Sequence, residues 1–126
     1  MKDRITALQG LRVLVVEDEH LVALALTGDL EDAGAIVIGP ASSIESAFEL
    51  IGRHEIAAAV LDIQLHSQMV FPVAEALSGK GVPFLFTTGF DAGVIPDEYA
   101  HVPKCAKPAS GDTVLEMLVE LAANGG

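Results

Sequence analysis

The chain has one cysteine, no tryptophan and only seven basic residues, and each shortage argues against a class of protein. The lone Cys105 can form neither an internal disulfide nor a metal site built on two thiolates. No apolar run approaches the roughly 20 residues of a membrane-spanning helix, and the N-terminus lacks a signal-peptide core. We therefore expect a cytoplasmic protein with no membrane partner. Eighteen acidic residues leave a formal net charge of −11, which argues against direct binding of nucleic acid, because no cationic excess exists to neutralise phosphates.

The composition indicates one globular domain with an aliphatic core. Hydrophobic residues make up 51% of the 126 positions, whereas aromatic residues make up only 5%. This length suits a single domain, which we expect to span residues 1–126 with its core at about 11–123.

Apolar runs alternate five times with amphipathic stretches. The runs are typical of buried strands, and the stretches carry apolar residues at helical spacing, as with Leu21, Leu24, Ala25 and Leu30. We expect strands at 11–16, 35–38, 57–61, 82–86 and 102–106, and helices at 20–33, 73–78, 111–123 and after a capping box formed by Ser42 and Glu45. Residues 63–71 are expected to be a loop, and 90–99 is ambiguous because Gly93 and Pro96 interrupt any helix there.

Strands that alternate with helices imply parallel pairing with right-handed crossovers. We therefore expect a doubly wound α/β sheet with helices on both faces. Ligands bind such sheets beyond the carboxyl ends of the strands, so the residues at those ends are the candidate site.

Polar residues follow four of the five predicted strands. They are Glu17, Asp18 and Glu19 after the first strand, Asp62 after the third, Thr87 and Thr88 at the fourth, and Lys107 after the fifth. Three carboxylates at one edge repel one another unless a cation lies between them. A hard ion such as Mg²⁺ or Mn²⁺ suits Asp18 and Asp62, with Glu17 acting directly or through water.

Asp62 is the carboxylate best placed to act as a nucleophile, because it ends the central strand. A carboxylate that attacks a phosphoryl group forms an aspartyl phosphate. The charge on the transferred group needs cations and donors around it, and Lys107, the Thr88 hydroxyl and the metal ion meet that need.

These motifs together resemble those of response-regulator receiver domains. The matching segments are VLVVEDE, VLD, FTTG and Lys107-Pro108, in the order and spacing of that family. The phrase PFLFTTGF further resembles the receiver subgroup marked by a Phe-Ala-Thr-Gly motif. The resemblance implies a flavodoxin-like (CheY-like) five-stranded parallel sheet of order 2-1-3-4-5, flanked by about five helices.

The resemblance also implies roles for individual residues. Asp62 is then the phosphoacceptor, Glu17 and Asp18 the acidic pair, Thr88 the switch hydroxyl, Lys107 the phosphoryl-binding lysine and the Gln64 backbone carbonyl a metal ligand. The implied partners are a histidine kinase, of the HWE or a related class, or a histidine phosphotransfer protein, together with a downstream protein target. Phosphorylation-dependent dimerisation is left open. The implied catalysis is limited to the domain's own phosphorylation and dephosphorylation.

Three departures from the family pattern affect the readout. The loop IQLHSQ lacks the usual Met-Pro pair, Ala109 replaces an aromatic residue, and Lys104 stands where most members carry a Tyr or Phe. Four histidines lie on different predicted elements, so a histidine metal site is not expected.

The alternative functions are a Mg²⁺-dependent aspartyl-phosphate phosphohydrolase, a flavin-binding module and a receiver that only binds proteins. The absence of Asp-x-Asp spacing and of a cap segment disfavours the phosphohydrolase. The acidic residues after the first strand disfavour the flavin-binding module.

Overall fold

The computed structural model describes residues 8–66, 68–89, 95–107 and 111–125, without the side chains of 124 and 125. The main sheet consists of β1 (Arg12–Val16), β2 (Ile36–Ala41), β3 (Ala58–Asp62), β6 (Phe84–Thr88) and β7 (Lys104–Ala106). A small antiparallel pair consists of β4 (Gln64–Leu65) and β5 (Gln68–Met69). The α-helices are α1 (His20–Asp32), α2 (Ile44–Arg53), α3 (Phe71–Gly79) and α4 (Gly111–Gly125).

The main sheet is wholly parallel and has the order β2-β1-β3-β6-β7. When only the five strands of this sheet are counted in chain order, their order is 2-1-3-4-5. This confirms the predicted doubly wound sheet and its strand order. The register aligns Asp62 of β3 with Thr87 of β6, and Thr88 with Ala106 of β7. The carboxyl ends of these strands therefore meet at one edge of the sheet.

Side chains that alternate along each strand form two cores, one on each face of the sheet. Leu14 and Leu61 pack with residues of α2 and α3, whereas Val15 and Val60 pack with residues of α1 and α4. The strands are buried on both faces, which explains their continuous apolar runs. The α2–α3 face also holds an aromatic cluster with ring centroids 5.5–6.1 Å apart, formed by Phe71, Phe84, Phe86 and Tyr99.

Helix α1 presents a different face to the sheet from the one that its leucines suggest. Ala23 and Leu30 are buried, but Leu21 is 77% exposed and Leu24 is 59% exposed. The leucines do have helical spacing. However, the inner face of the helix carries Ala23 and Leu30, which lie seven residues apart, and Leu21 and Leu24 lie outside that face. The outer side of α1 is therefore an apolar surface.

Three other local predictions differ from the structure. The α2 N-cap is Ser43 rather than Ser42, and its partner is Ser46 rather than Glu45. The Ser46 backbone N–H donates to Ser43 Oγ at 3.1 Å, and the Ser43 backbone N–H donates to Ser46 Oγ at 3.2 Å. A hydroxyl three residues after the N-cap thus replaces the carboxylate expected in a capping box. The expected loop 63–71 contains the β4–β5 pair. The described part of the chain has four α-helices rather than about five, and the 90–99 stretch contributes only a 3₁₀ turn, Asp97–Tyr99; residues 90–94 lie outside the described residues.

Gly39 generates a prediction about stability, because its Cα lies close to the backbone of its own strand β2 and of the neighbouring strand β1. It has φ +107°, and an added Cβ would lie 2.8 Å from the Ala41 nitrogen and 3.0 Å from the Val15 oxygen. Gly39→Ala should lower the free energy of unfolding by about 2 kcal/mol or more. Gly28 of α1 is the matched control, since nothing lies within 4 Å of its added Cβ.

Gly28→Ala should raise the free energy of unfolding by about 0.5–1 kcal/mol, because alanine is the better helix former. Urea denaturation of both variants and the wild type measures the difference. Equal effects of the two substitutions would contradict the described packing of β2 against β1.

Candidate functional site

The predicted site residues converge at the carboxyl edge of the main sheet. Glu17 and Asp18 follow β1, Asp62 ends β3, and Lys107 follows β7. The Lys107 backbone N–H donates to the Thr88 carbonyl at 2.8 Å, which continues the β6–β7 pairing and brings the lysine beside Asp62. The topology therefore unites residues that lie up to 90 positions apart in the sequence.

The ammonium group of Lys107 joins the carboxylates of this edge. Its Nζ lies 3.1 Å from Asp62 Oδ2, 3.1 Å from Glu17 Oε1 and 3.7 Å from Glu19 Oε1. The side chains of Glu17 and Asp62 are only 3% and 6% exposed. Because burial weakens solvent screening, this ammonium is strongly coupled to both acids.

The electrostatics disfavour a charged Asp62 in the metal-free protein. The pKa of Asp62 is raised to about 7, first by burial and then by the nearby Glu17 carboxylate, and Lys107 only partly offsets the two effects. Burial alone would lower the pKa of Lys107, but its hydrogen bonds to Asp62 and Glu17 and their charges outweigh that effect and raise it. One ammonium does not neutralise this group of acids, so the site favours a further cation.

Three carboxylates have the spacing needed to hold such a cation. Glu17, Asp18 and Asp62 each offer an oxygen atom, and these atoms lie within 4.8 Å of one another. Opposite ligands of one Mg²⁺ are about 4.2 Å apart, so small side-chain adjustments bring all three into contact with a single ion. The donor set consists of oxygen atoms, which Mg²⁺ and Mn²⁺ prefer.

Gln64 and Thr88 occupy the expected positions, but their roles stay predictions. Gln64 begins β4 two residues after Asp62, and its side-chain amide donates to the His66 carbonyl at 3.4 Å. Thr88 is buried at the end of β6. Thr87 is buried as well and lines the groove beside Lys107.

His66 is a site residue that the sequence analysis missed. Its backbone N–H donates to Asp18 Oδ2 at 2.7 Å, and its Nδ1 lies 3.3 Å from the same oxygen. His66 follows β4, and because β3 pairs with β1, the segments that follow these two strands lie side by side. The only signal in the sequence was the unusual composition of the loop IQLHSQ.

A groove of about 460 Å³ runs from this site between α1 and the start of α4. Glu17, Thr87 and Lys107 line it together with apolar residues of α1, among them Leu21 and Val22. The exposed apolar side of α1 thus borders a groove lined by Lys107, the residue that pairs with Asp62. Within the described residues, every helix falls short of the length or apolarity that a membrane crossing requires.

Comparison with known proteins identifies similar structures. The solution structure of SdrG from Sphingomonas melonis Fr1 is 32% identical over 89% of this chain and 96% of that one, with a TM-score of 0.78. The BeF3-activated conformation of SdrG from Pseudomonas melonis Fr1 is 30% identical over 96% and 99%, with a TM-score of 0.75. The response regulator PhyR from Brucella abortus is 25% identical with a TM-score of 0.71, but the match covers 91% of this chain and 52% of PhyR.

The fold alone is also shared with a more distant protein. A response regulator receiver domain protein (CheY-like) from Methanospirillum hungatei JF-1 is 20% identical, with a TM-score of 0.83 over 93% of this chain and 97% of that one. The sequence matches no protein-family model and no curated protein. Three observations point to the same family. They are the parallel sheet of order 2-1-3-4-5, the acidic edge with its lysine, and the likeness to SdrG over nearly its whole length. The chain belongs to the CheY-like receiver domains of response regulators.

Proposed function

We propose that this receiver domain accepts a phosphoryl group on Asp62 from a histidine kinase or a histidine phosphotransfer protein. The domain acts in the cytoplasm and passes the signal to a downstream protein. The observation that carries the proposal is the contact between the buried Asp62 carboxylate and Lys107, at 3.1 Å, beside two further acids. Its chemistry is limited to its own phosphorylation and dephosphorylation.

The reaction transfers one phosphoryl group between two side chains. An Asp62 oxygen attacks phosphorus, the phosphorus–nitrogen bond of the donor phosphohistidine breaks, and the imidazole leaves with its electron pair. Lys107 neutralises charge on the phosphoryl oxygens, for which it gives up part of its pairing with Asp62 and Glu17. Glu17, Asp18, Asp62 and the Gln64 carbonyl would hold a divalent cation, which would supply the remaining positive charge.

The switch and the partners are the finer parts of the proposal. Thr88 ends the strand beside β3, and we assign to its hydroxyl the role of sensing the phosphoryl group. The phrase PFLFTTGF supports membership of the Phe-Ala-Thr-Gly receiver subgroup, with kinases of the HWE or a related class as donors. The exposed apolar side of α1 borders the groove lined by Glu17 and Lys107, and such an apolar surface suits a protein donor rather than a small molecule.

Phosphorylation of Asp62 is the first test of the proposed function. Incubation with acetyl phosphate and Mg²⁺ should add one alkali-labile phosphoryl group, because an acyl phosphate hydrolyses in base. Intact-mass measurement should show the added group in the wild type and in Asp32→Asn, whose carboxylate is exposed at the end of α1. Asp62→Asn should show none, and a phosphoryl group that persists in that variant would contradict the assignment.

Metal binding should depend on Asp18. In the absence of metal, Asp18→Asn should melt at a higher temperature than the wild type, because one of the mutually repelling carboxylates is removed. At about 100 times its Kd, Mg²⁺ should stabilise the wild type by about 2.7 kcal/mol and Asp18→Asn much less. Thermal melts with and without Mg²⁺ measure both effects. Asp32→Asn should keep the full Mg²⁺ stabilisation, and an equal stabilisation of Asp18→Asn would remove Asp18 from the metal site.

The raised pKa of Asp62 predicts how stability changes with pH in the metal-free protein. The carboxyl group loses its proton near 3.8 in the unfolded chain but at about 7 in the folded one. Its contribution to stability is therefore complete below about pH 4 and is lost as the pH rises to about 7. Asp62→Asn removes this loss, so its stability relative to the wild type should increase between those limits and then level off.

Chemical denaturation in the presence of a chelator, from pH 4 to pH 8, measures this difference. Asp32→Asn controls for the general effect of removing a negative charge. A difference between Asp62→Asn and the wild type that does not change with pH would show that Asp62 titrates as an exposed carboxyl group does.

A further inference from the structure

His66 has an uncommon backbone conformation beside the site. Its φ is +50°, and it is the one non-glycine residue with positive φ among the described positions. Such a conformation costs free energy and persists where surrounding contacts enforce it. The contact here is the hydrogen bond of 2.7 Å from the His66 backbone N–H to Asp18 Oδ2. This bond holds the histidine against a carboxylate of the acidic cluster.

In its present orientation, the imidazole lies within ligand distance of Asp18 but is not part of the group of three carboxylates whose oxygen atoms lie within 4.8 Å of one another. His66 Nδ1 is 3.3 Å from Asp18 Oδ2. Two ligands with bonds of about 2.1 Å are about 3.0 Å apart at octahedral angles and about 3.3–3.4 Å apart at tetrahedral angles. The His66 side chain is 79% exposed, so its ring can turn towards an ion without loss of buried contacts.

We propose that His66 supplies a nitrogen ligand to the cation held by Glu17, Asp18 and Asp62. The imidazole turns an all-oxygen site into a mixed site, which favours Mn²⁺ or Co²⁺ over Mg²⁺, because Mg²⁺ selects oxygen ligands and imidazole suits transition metals. The inference rests on the proposed function only in requiring that the carboxylates bind a cation.

The test compares His66→Asn with His54→Asn in the whole chain. Asparagine tolerates positive φ and keeps the backbone N–H for Asp18, so His66→Asn removes only the imidazole. His54 is an exposed histidine at the C-terminal end of α2 and serves as the control. Calorimetric titration with Co²⁺ and with Mg²⁺ gives the two affinities. Electron spin-echo spectra of the Mn²⁺-loaded protein report directly on nitrogen bound to the metal.

We expect the Co²⁺ affinity of His66→Asn to fall about tenfold or more, while its Mg²⁺ affinity changes less than about threefold. Imidazole nitrogen coupling to Mn²⁺ should appear in the wild type and in His54→Asn and vanish in His66→Asn. Unchanged Co²⁺ affinity together with absent nitrogen coupling would overturn the inference. If the metal nevertheless binds in an Asp18-dependent manner, the proposed function survives; if Asp18→Asn also leaves every affinity unchanged, the metal site of the proposed function fails as well.

Discussion

The pairing of one ammonium group with two buried carboxylates determines how this site is built. Lys107 Nζ lies about equally close to Asp62 and Glu17, both almost fully buried, at 3.1 Å from each. Removing these carboxylates from water is costly, and a single lysine compensates only part of the cost. The deficit is visible in the raised pKa of Asp62. In the proposed function, a divalent cation would complete the neutralisation, and the phosphoryl group would then compete for Lys107.

The surroundings of this pairing differ on its two sides. Towards β4, His66 binds Asp18 through its backbone and places an imidazole at the opening of the acidic cluster. Towards α1, the groove is lined by apolar side chains such as Leu21 and Val22. The first side suits the proposed cation, and the second suits the proposed protein donor of the phosphoryl group.

The sequence was sufficient for the fold and for the placement of Asp62 and Lys107 at one edge of the sheet, because both depend on regular features. Buried parallel strands appear as apolar runs, and the rule that ligands bind at their carboxyl ends selected Asp62 and Lys107. The sequence was insufficient where the outcome depends on packing. Leucines at helical spacing did not reveal which side of α1 faces the sheet, and Leu24 is exposed as a result. His66 contacts Asp18 across 48 residues beside the β4–β5 pair, and no local pattern indicated that pair.

The crystal structure of the protein with Mg²⁺ and beryllofluoride tests the central claim most directly, because beryllofluoride imitates a phosphoryl group on a carboxylate. The account predicts beryllium bound to an Asp62 oxygen, a fluorine atom within hydrogen-bonding distance of Lys107 Nζ, and Mg²⁺ in contact with Asp18 and Asp62. Beryllofluoride on another residue, or Mg²⁺ away from these carboxylates with Lys107 still bound to Asp62 and Glu17, would contradict it.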